Sequence, residues 1–378
     1  MKFETKIMHL IQPDEQTGSL MLPIYQTSTY VQEAPGVNKG YTYTRTGNPT
    51  RKAVEDAVAE MEGGVAAFGF ASGLAAVDCV LKLLSAGDEV VAIDDIYGGT
   101  YRELTTIYNR YGVTTKWVDM TDVQNVANAV SSKTRIVWLE SPTNPTLKIS
   151  DIEAIAKIAK SVGALLVVDN TFLSPVLQNP IALGADIVIH SGTKYLAGHS
   201  NVMAGFVVAK TNELAEQVKY LQFSTGGILA PFDSWLIAQG LLTISLRLER
   251  QSENAMKVAE YLSNHPKVDK LYYPGLKTHK NHDVAARQQR TFGAMLSFSL
   301  KNDTVEETRR VASGTKLFKL AENLGDVKSL ISHPATMTHA STPPEVRHSL
   351  GIQDSLLRLS VGIENVEDLI EDLRQALG

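Results

Sequence analysis

One alternation restricts the fold of this chain more than any other feature. Between about residue 64 and residue 210, short apolar, β-branched runs are separated by stretches with helical periodicity. The runs 65–70, 89–93, 114–118, 135–139, 164–168, 186–189 and 205–209 read as strands. Several are apolar at nearly every position, as strands buried on both faces of a parallel sheet tend to be. Between them, 74–85 places Val77, Val80, Leu81 and Leu84 on one helical face. The stretch 151–162 reads as another helix, with Ser150 as N-cap and Gly163 as stop. This pattern predicts an α/β layer fold, in which ligands bind beyond the carboxyl ends of the strands.

The pattern changes after Pro231. Residues 234–265 are largely helical in composition, and short strands at 294–300 and 357–361 follow among further helices. The chain closes on Val366, Leu369, Ile370, Leu373 and Leu377, an apolar stripe at helical period. Residues 1–44 lack strong periodicity and carry Pro13, Gly18, Pro23, Pro35 and Gly36, which suits an extended arm lying on something else, a second subunit included.

Composition narrows the function. A length of 378 residues predicts two or three domains, and 44% hydrophobic with 20% charged residues excludes a disordered chain or a fibre. A net charge of −5 argues against a nucleic-acid partner. The single cysteine, Cys79, rules out an intrachain disulfide and a cysteine-held metal cluster, and favours a reducing compartment. No apolar run approaches the roughly 20 residues that cross a bilayer, and the first residues lack a signal-peptide pattern. The expectation is a cytoplasmic protein with no metal.

Four constellations fall just after strands. Ala71-Ser72-Gly73-Leu74 joins a strand to a helix, where glycine admits an anion and the helix N-terminus offers free N–H groups. Small residues at such turns also serve packing alone. Asp169 ends an apolar run, where a carboxylate is costly without a cationic or protonated partner. A turn aspartate is the plainer reading of that residue by itself. Lys194, in Ser191-Gly192-Thr193-Lys194-Tyr195, follows a buried strand, although lysines are overwhelmingly exposed. Lysine forms Schiff bases, and burial makes it reactive. Tyr97, beside Gly98 and Gly99, can lie against a planar cofactor or merely pack in a turn.

Taken together, the four match pyridoxal phosphate, which needs a lysine for its aldehyde, a carboxylate for its ring nitrogen, an anion cup and a stacking ring. Other cofactor and nucleophile motifs fail. No Gly-x-Gly-x-x-Gly opens a helix and no Gly-x-x-x-x-Gly-Lys-Ser/Thr occurs. Gly198-His199-Ser200 lacks the second glycine of a nucleophile elbow, because position 202 is Val202.

The stretches 191–200 (Ser-Gly-Thr-Lys-Tyr-Leu-Ala-Gly-His-Ser), 167–172 (Val-Val-Asp-Asn-Thr-Phe) and 140–146 (Glu-Ser-Pro-Thr-Asn-Pro-Thr) strongly resemble the Cys/Met-metabolism family of pyridoxal-phosphate enzymes. So do 43–51, 95–102 and Met337-Thr338-His339-Ala340, and the likeness runs from near residue 20 to the C-terminus. The resemblance implies the fold-type I, aspartate-aminotransferase-like architecture. It would have an arm at 1–44 that contacts a neighbouring subunit, a large cofactor domain with a mostly parallel sheet at 45–240, and a smaller α+β domain at 241–378. It implies Lys194 as the Schiff-base lysine, Asp169 at the pyridinium nitrogen and Tyr97 on the ring. Gly73, Leu74, Ser191 and Thr193 would hold the phosphate. Tyr43 and Arg45 would reach a neighbouring subunit's phosphate, making the site a dimer property within a homotetramer. Arg358, helped by Ser329 and Asn144, would bind the substrate α-carboxylate.

The family chemistry, carried onto these residues, has the released Lys194 take the Cα proton while Tyr97, with a lowered pKa, assists cleavage of the Cγ–sulfur bond. The member most resembled is cystathionine γ-lyase, with cystathionine β-lyase and γ-synthase as the alternatives. Methionine γ-lyase fits less well, since Gly99 stands where it typically carries cysteine. A pyridoxal-fold binding module and an aminotransferase on the same fold are the remaining readings. Lys328 stands where cystathionine-handling members often carry glutamate, which bears on recognition of the distal ammonium, and Asn201 replaces a common aspartate.

Overall fold

The computed structural model describes residues 1–338, 340 and 344–378. Its strands form two sheets. The first contains β1 (Ala66–Phe70), β2 (Glu89–Ile93), β3 (Thr114–Val118), β4 (Thr134–Glu140), β5 (Leu165–Asp169), β6 (Ile187–Ser191) and β7 (Gly205–Ala209). Their order is β1-β7-β6-β5-β4-β2-β3, with β7 antiparallel to both neighbours and the other pairs parallel. Every strand expected from the alternation is present, with ends shifted by one or two residues. β2 and β7 are buried at every position, which explains the apolar runs Val90–Ile93 and Phe206–Ala209 within them.

Helices pack against this sheet. After α1 (Phe3–Met8) and α2 (Pro49–Glu62), α3 (Gly73–Leu81) follows β1, capped by Ser72, whose side chain accepts the Ala75 N–H. It ends before residue 85 because the chain tightens into shorter-range bonds, Leu83 N–H to Val80 O and Leu84 N–H to Leu81 O. α4 (Gly98–Arg102) starts at Tyr97 and runs directly into a π-helical turn at Glu103–Ile107. The helix Ile152–Ser161 is capped by Asp151 rather than Ser150: Ser150 is fully buried and its N–H is taken by Ser141 Oγ. Gly163 follows in the left-handed region at φ 74°, as a stop should.

The second sheet holds β8 (Val268–Tyr272), β9 (Met295–Leu300), β10 (Lys319–Leu320), β11 (Leu330–Ser332) and β12 (Leu356–Ser360) in the order β10-β11-β12-β9-β8. Only β10–β11 is parallel. β8 and β10 were not legible because their residues are mostly exposed or half-buried, and β11 has just three residues. The helical region after Pro231 is two helices, Pro231–Leu241 and Ile244–Ser263. The C-terminal helix Val366–Leu377 buries Leu369, Leu373 and Leu377, as its stripe implied.

Beyond α1, the arm is irregular as far as α2, and Leu20 (86%) and Val31 (94%) stand almost fully exposed on it. Its end is fastened by buried Arg51, which donates to the Thr44 and Arg45 carbonyls. Among the described residues, no helix is long and apolar enough to cross a membrane.

Candidate active site

A cavity of about 420 Å³ opens beyond the carboxyl ends of β4, β5 and β6 and reaches across to β12 of the second sheet. It lies where the topology of a parallel sheet places a ligand. Lys194, three residues past β6, extends Nζ to 2.7 Å from Asn323 Oδ1. Burial, and then the Arg358 guanidinium, lower its pKa to about 8.

Asp169 closes β5 and faces the same cavity, with one oxygen accepting the Thr171 N–H at 2.9 Å. Burial raises its pKa, opposed by the Thr171 hydrogen bonds and His190. Glu140, its register partner at the end of β4, is 5% exposed and accepts the Tyr97 N–H on both oxygens, at 3.0 and 3.1 Å. Burial and the neighbouring Asp169 hold Glu140 well above the usual carboxylate range.

The first turn of α3 brings Gly73 and Leu74 to the cavity, where helix-end amides have no intrahelical acceptor. Glycine is needed at 73: a Cβ there would sit 3.0 Å from Ser191 Cβ. Ser191 is fixed by its N–H to Thr171 Oγ1 at 2.8 Å, and Thr193 Oγ1 accepts the Ala204 N–H at 3.0 Å. Both residues line the cavity.

Arg358, on β12 and only 3% exposed, donates to Asn144 Oδ1 at 2.8 Å and to the Asn323 carbonyl at 3.2 Å. Burial lowers its pKa to about 10, so it stays charged at neutral pH.

Tyr97 also lines the cavity, with 45% of its surface exposed, but its phenol differs from expectation. Its pKa is raised, not lowered: partial burial dominates, opposed by Arg102, and Glu140, Asp169 and Glu103 add to the rise. Arg45 does not line this cavity in its own chain. Its guanidinium donates to the Phe223 carbonyl at 3.0 Å and stacks 4.7 Å over the Phe223 ring. Tyr43, 46% exposed, lines a separate cleft with Arg45.

Ser329 is not brought to the cavity either. It is fully buried, its hydroxyl donating to Glu364 and accepting from the Gly362 N–H, each at 2.9 Å. Lys328 is exposed and does not line the cavity, whereas Glu322 does. His339, in the Met337–Ala340 motif, lies outside the described residues. Sequence reasoning missed Asn323, Glu322 and the role of Glu140. The stretch Ala321-Glu322-Asn323-Leu324 carries no periodicity, so only the position of β11 behind it could have pointed there.

A reactive lysine, a buried carboxylate, a helix N-terminus closed by Ser191 and Thr193, and a half-exposed tyrosine ring converge on one cavity. That donor set fits pyridoxal phosphate. The Cys/Met metabolism PLP-dependent enzyme family matches residues 4–378. The chain belongs to this family. Family membership makes it a pyridoxal-phosphate-dependent enzyme of fold type I that acts on small amino-acid substrates.

A cystathionine beta-lyase of Coxiella burnetii is 51% identical over 99% of this chain and 97% of its own. A cystathionine gamma-lyase of Bacillus subtilis is 50% identical over 100% and 99%. The solved structure of a cystathionine gamma synthase from Xanthomonas oryzae, in complex with aminoacrylate and cysteine, superposes with a TM-score of 0.97 at 43% identity, covering 100% of this chain and 98% of that one. The family relatives therefore span lyases of both kinds and a synthase.

Proposed function

We propose that this enzyme cleaves L-cystathionine, with γ-elimination to cysteine, 2-oxobutanoate and ammonia preferred. The observation that carries the reading is the cavity's charge inventory. Arg358, backed by Asn144, suits an α-carboxylate, and Glu322 sits at the same lining with no hydrogen-bond or ion-pair partner among the described residues. The charge of Glu322 acts on Arg358, and a carboxylate without a bonded partner there suits a substrate that carries a second, distal ammonium, which cystathionine has. Exposed Lys328 stays out of the lining and does not oppose it.

Lys194, Asp169, Tyr97, Gly73, Leu74, Ser191 and Thr193 would hold the cofactor. When bound, pyridoxal phosphate supplies an electron sink for negative charge developing at the substrate Cα. The chain's own residues do the rest. Arg358 orients the substrate by its carboxylate. Lys194, with a pKa near 8, is partly neutral at working pH and takes the Cα proton on Nζ. The Tyr97 phenol, kept protonated by its raised pKa, is suited to give a proton to the departing sulfur.

The arm at 1–44, large domain at 45–240 and small domain at 241–378 are part of the same proposal, supported by one sheet within 66–209 and another within 268–360. So is a homotetramer with shared sites, in the cytoplasm. Tyr43 and Arg45 lie outside the cavity on an exposed face, as residues serving a neighbour would. β-Cleavage to homocysteine, pyruvate and ammonia is the second reading, favoured by the 51% identity to a β-lyase.

Product analysis after incubating the holoenzyme with L-cystathionine tests the proposal. Cysteine with 2-oxobutanoate supports it, and homocysteine with pyruvate moves the enzyme to β-lyase. Untouched cystathionine with turnover of an O-acyl-homoserine and cysteine makes it a synthase.

A further inference from the structure

We propose that Glu140 carries the proton of a carboxyl pair with Asp169 and, through the Tyr97 N–H, holds that tyrosine in place. The proposal rests on the cavity being the pyridoxal-phosphate site. β4 and β5 are parallel and pair Glu140 with Asp169, so both side chains leave the sheet on one face about 5 Å apart. Two ionised carboxylates at that spacing, away from bulk water, repel strongly.

Among the described residues, no side-chain cation is bonded to either. Lys194 is engaged by Asn323 and Arg358 by Asn144. His190, the cation-forming group that acts on Asp169, is hydrogen-bonded to Glu62 at 2.7 Å. The remaining groups facing Glu140 from the β2 side are Tyr97 and Asp95, and Asp95 is already tied to Thr143 and Thr146. One proton must therefore sit in the pair.

Donor placement decides where. Asp169 opens into the cavity and receives Thr171, which favours its ionised form. Glu140 lines the same cavity but is only 5% exposed, and among the described residues its hydrogen-bond donor is the Tyr97 N–H. A neutral Glu140 leaves the charge on Asp169 at full strength for a protonated ring nitrogen, while its oxygens still accept from Tyr97. Glu140 is thus a positioning residue, acting through Asp169 and the Tyr97 N–H.

Isotope-edited infrared difference spectra of holoenzyme, parent minus Glu140→Gln at neutral pH, provide the test. The expected result is loss of a protonated-carboxyl C=O band. A loss confined to ionised-carboxylate bands would overturn the proposal. The cofactor dissociation constant gives a second readout. Glu140→Gln, a neutral isostere, stays within about threefold of the parent, and Glu140→Ala weakens binding about tenfold, the equivalent of about 1.4 kcal/mol. Gln doing no better than Ala would also overturn it. If the parent shows no visible absorbance on adding pyridoxal phosphate, the reading of the cavity falls, and this proposal with it.

Discussion

Lys194 Nζ and Asn323 Oδ1 lie 2.7 Å apart, so the cavity's reactive amine is held by a residue from the segment that joins β10 to β11 in the second sheet. Asn323 is itself fixed, its Nδ2 donating to Ser200 Oγ at 3.0 Å and its carbonyl accepting from Arg358. A carbonyl acceptor stabilises the ammonium over the amine. Asn323→Ala is expected to move the Lys194 pKa below about 8, and Asn323→Asp to move it up. The rate of acylation of Lys194 in the cofactor-free protein, followed against pH by peptide mass spectrometry, reads both shifts. Identical curves for the three proteins would show that the contact is incidental.

Glu322 governs the distal end of the substrate if the functional reading is right. Because it is exposed, its pairing is worth up to about 1 kcal/mol, so Glu322→Gln raises KM for L-cystathionine about fivefold. L-Cysteine, which lacks a distal ammonium, keeps its KM. Equal changes for the two substrates would remove Glu322 from recognition.

Gly99 has a steric task. A Cβ at this position would come 2.4 Å from Tyr97 Cε1 and 3.0 Å from Leu74 Cδ1. Gly99→Cys therefore displaces the Tyr97 ring, and crowding of this kind costs about 1–3 kcal/mol. A lower melting temperature and a shifted absorbance of bound cofactor are expected. Retention of both parental values would show that the ring yields freely.

Glu103, at the start of the π-helical turn, is 7% exposed, and one of its oxygens is buried without a partner. Burial first, then Asp78, push its pKa from 4.5 up to about 7. The fold thus favours the protonated form. Its contribution is complete below pH 4.5 and is lost as pH rises through about 7. Glu103→Gln should gain melting temperature over the parent across that interval and hold a constant lead above it. A gap that does not vary with pH would count against this.

The first sheet was legible because burial on both faces writes continuous apolar runs, as at Val90–Ala92 and Phe206–Val208, all fully buried. Lys194, Asp169, Gly73 and Ser191 were legible for a related reason, since each ends or follows such a run. The second sheet was less so: β10 is two exposed residues, and its partner β11 has only three. Ser329 misled because a polar residue beside a strand looks the same in sequence whether it faces a cavity or, as here, Glu364. The Tyr97 phenol misled because its setting depends first on burial and then on groups such as Glu140 and Asp169, brought to it by two strands distant in the chain. Asn323 had no local signal, since its partner lies 129 residues away.

Two of the bonds that cross between the sheets, Lys194 to Asn323 and Arg358 to Asn144, run in opposite senses. In one, the first sheet supplies the cation and the segment before β11 the amide; in the other, β12 supplies the cation and the loop after β4 the amide. A rigid-body rotation of either sheet would therefore strain both contacts in the same movement. Readiness of the amine and grip on the substrate carboxylate are one mechanical variable, and a substitution that shifts one sheet against the other would change both in step.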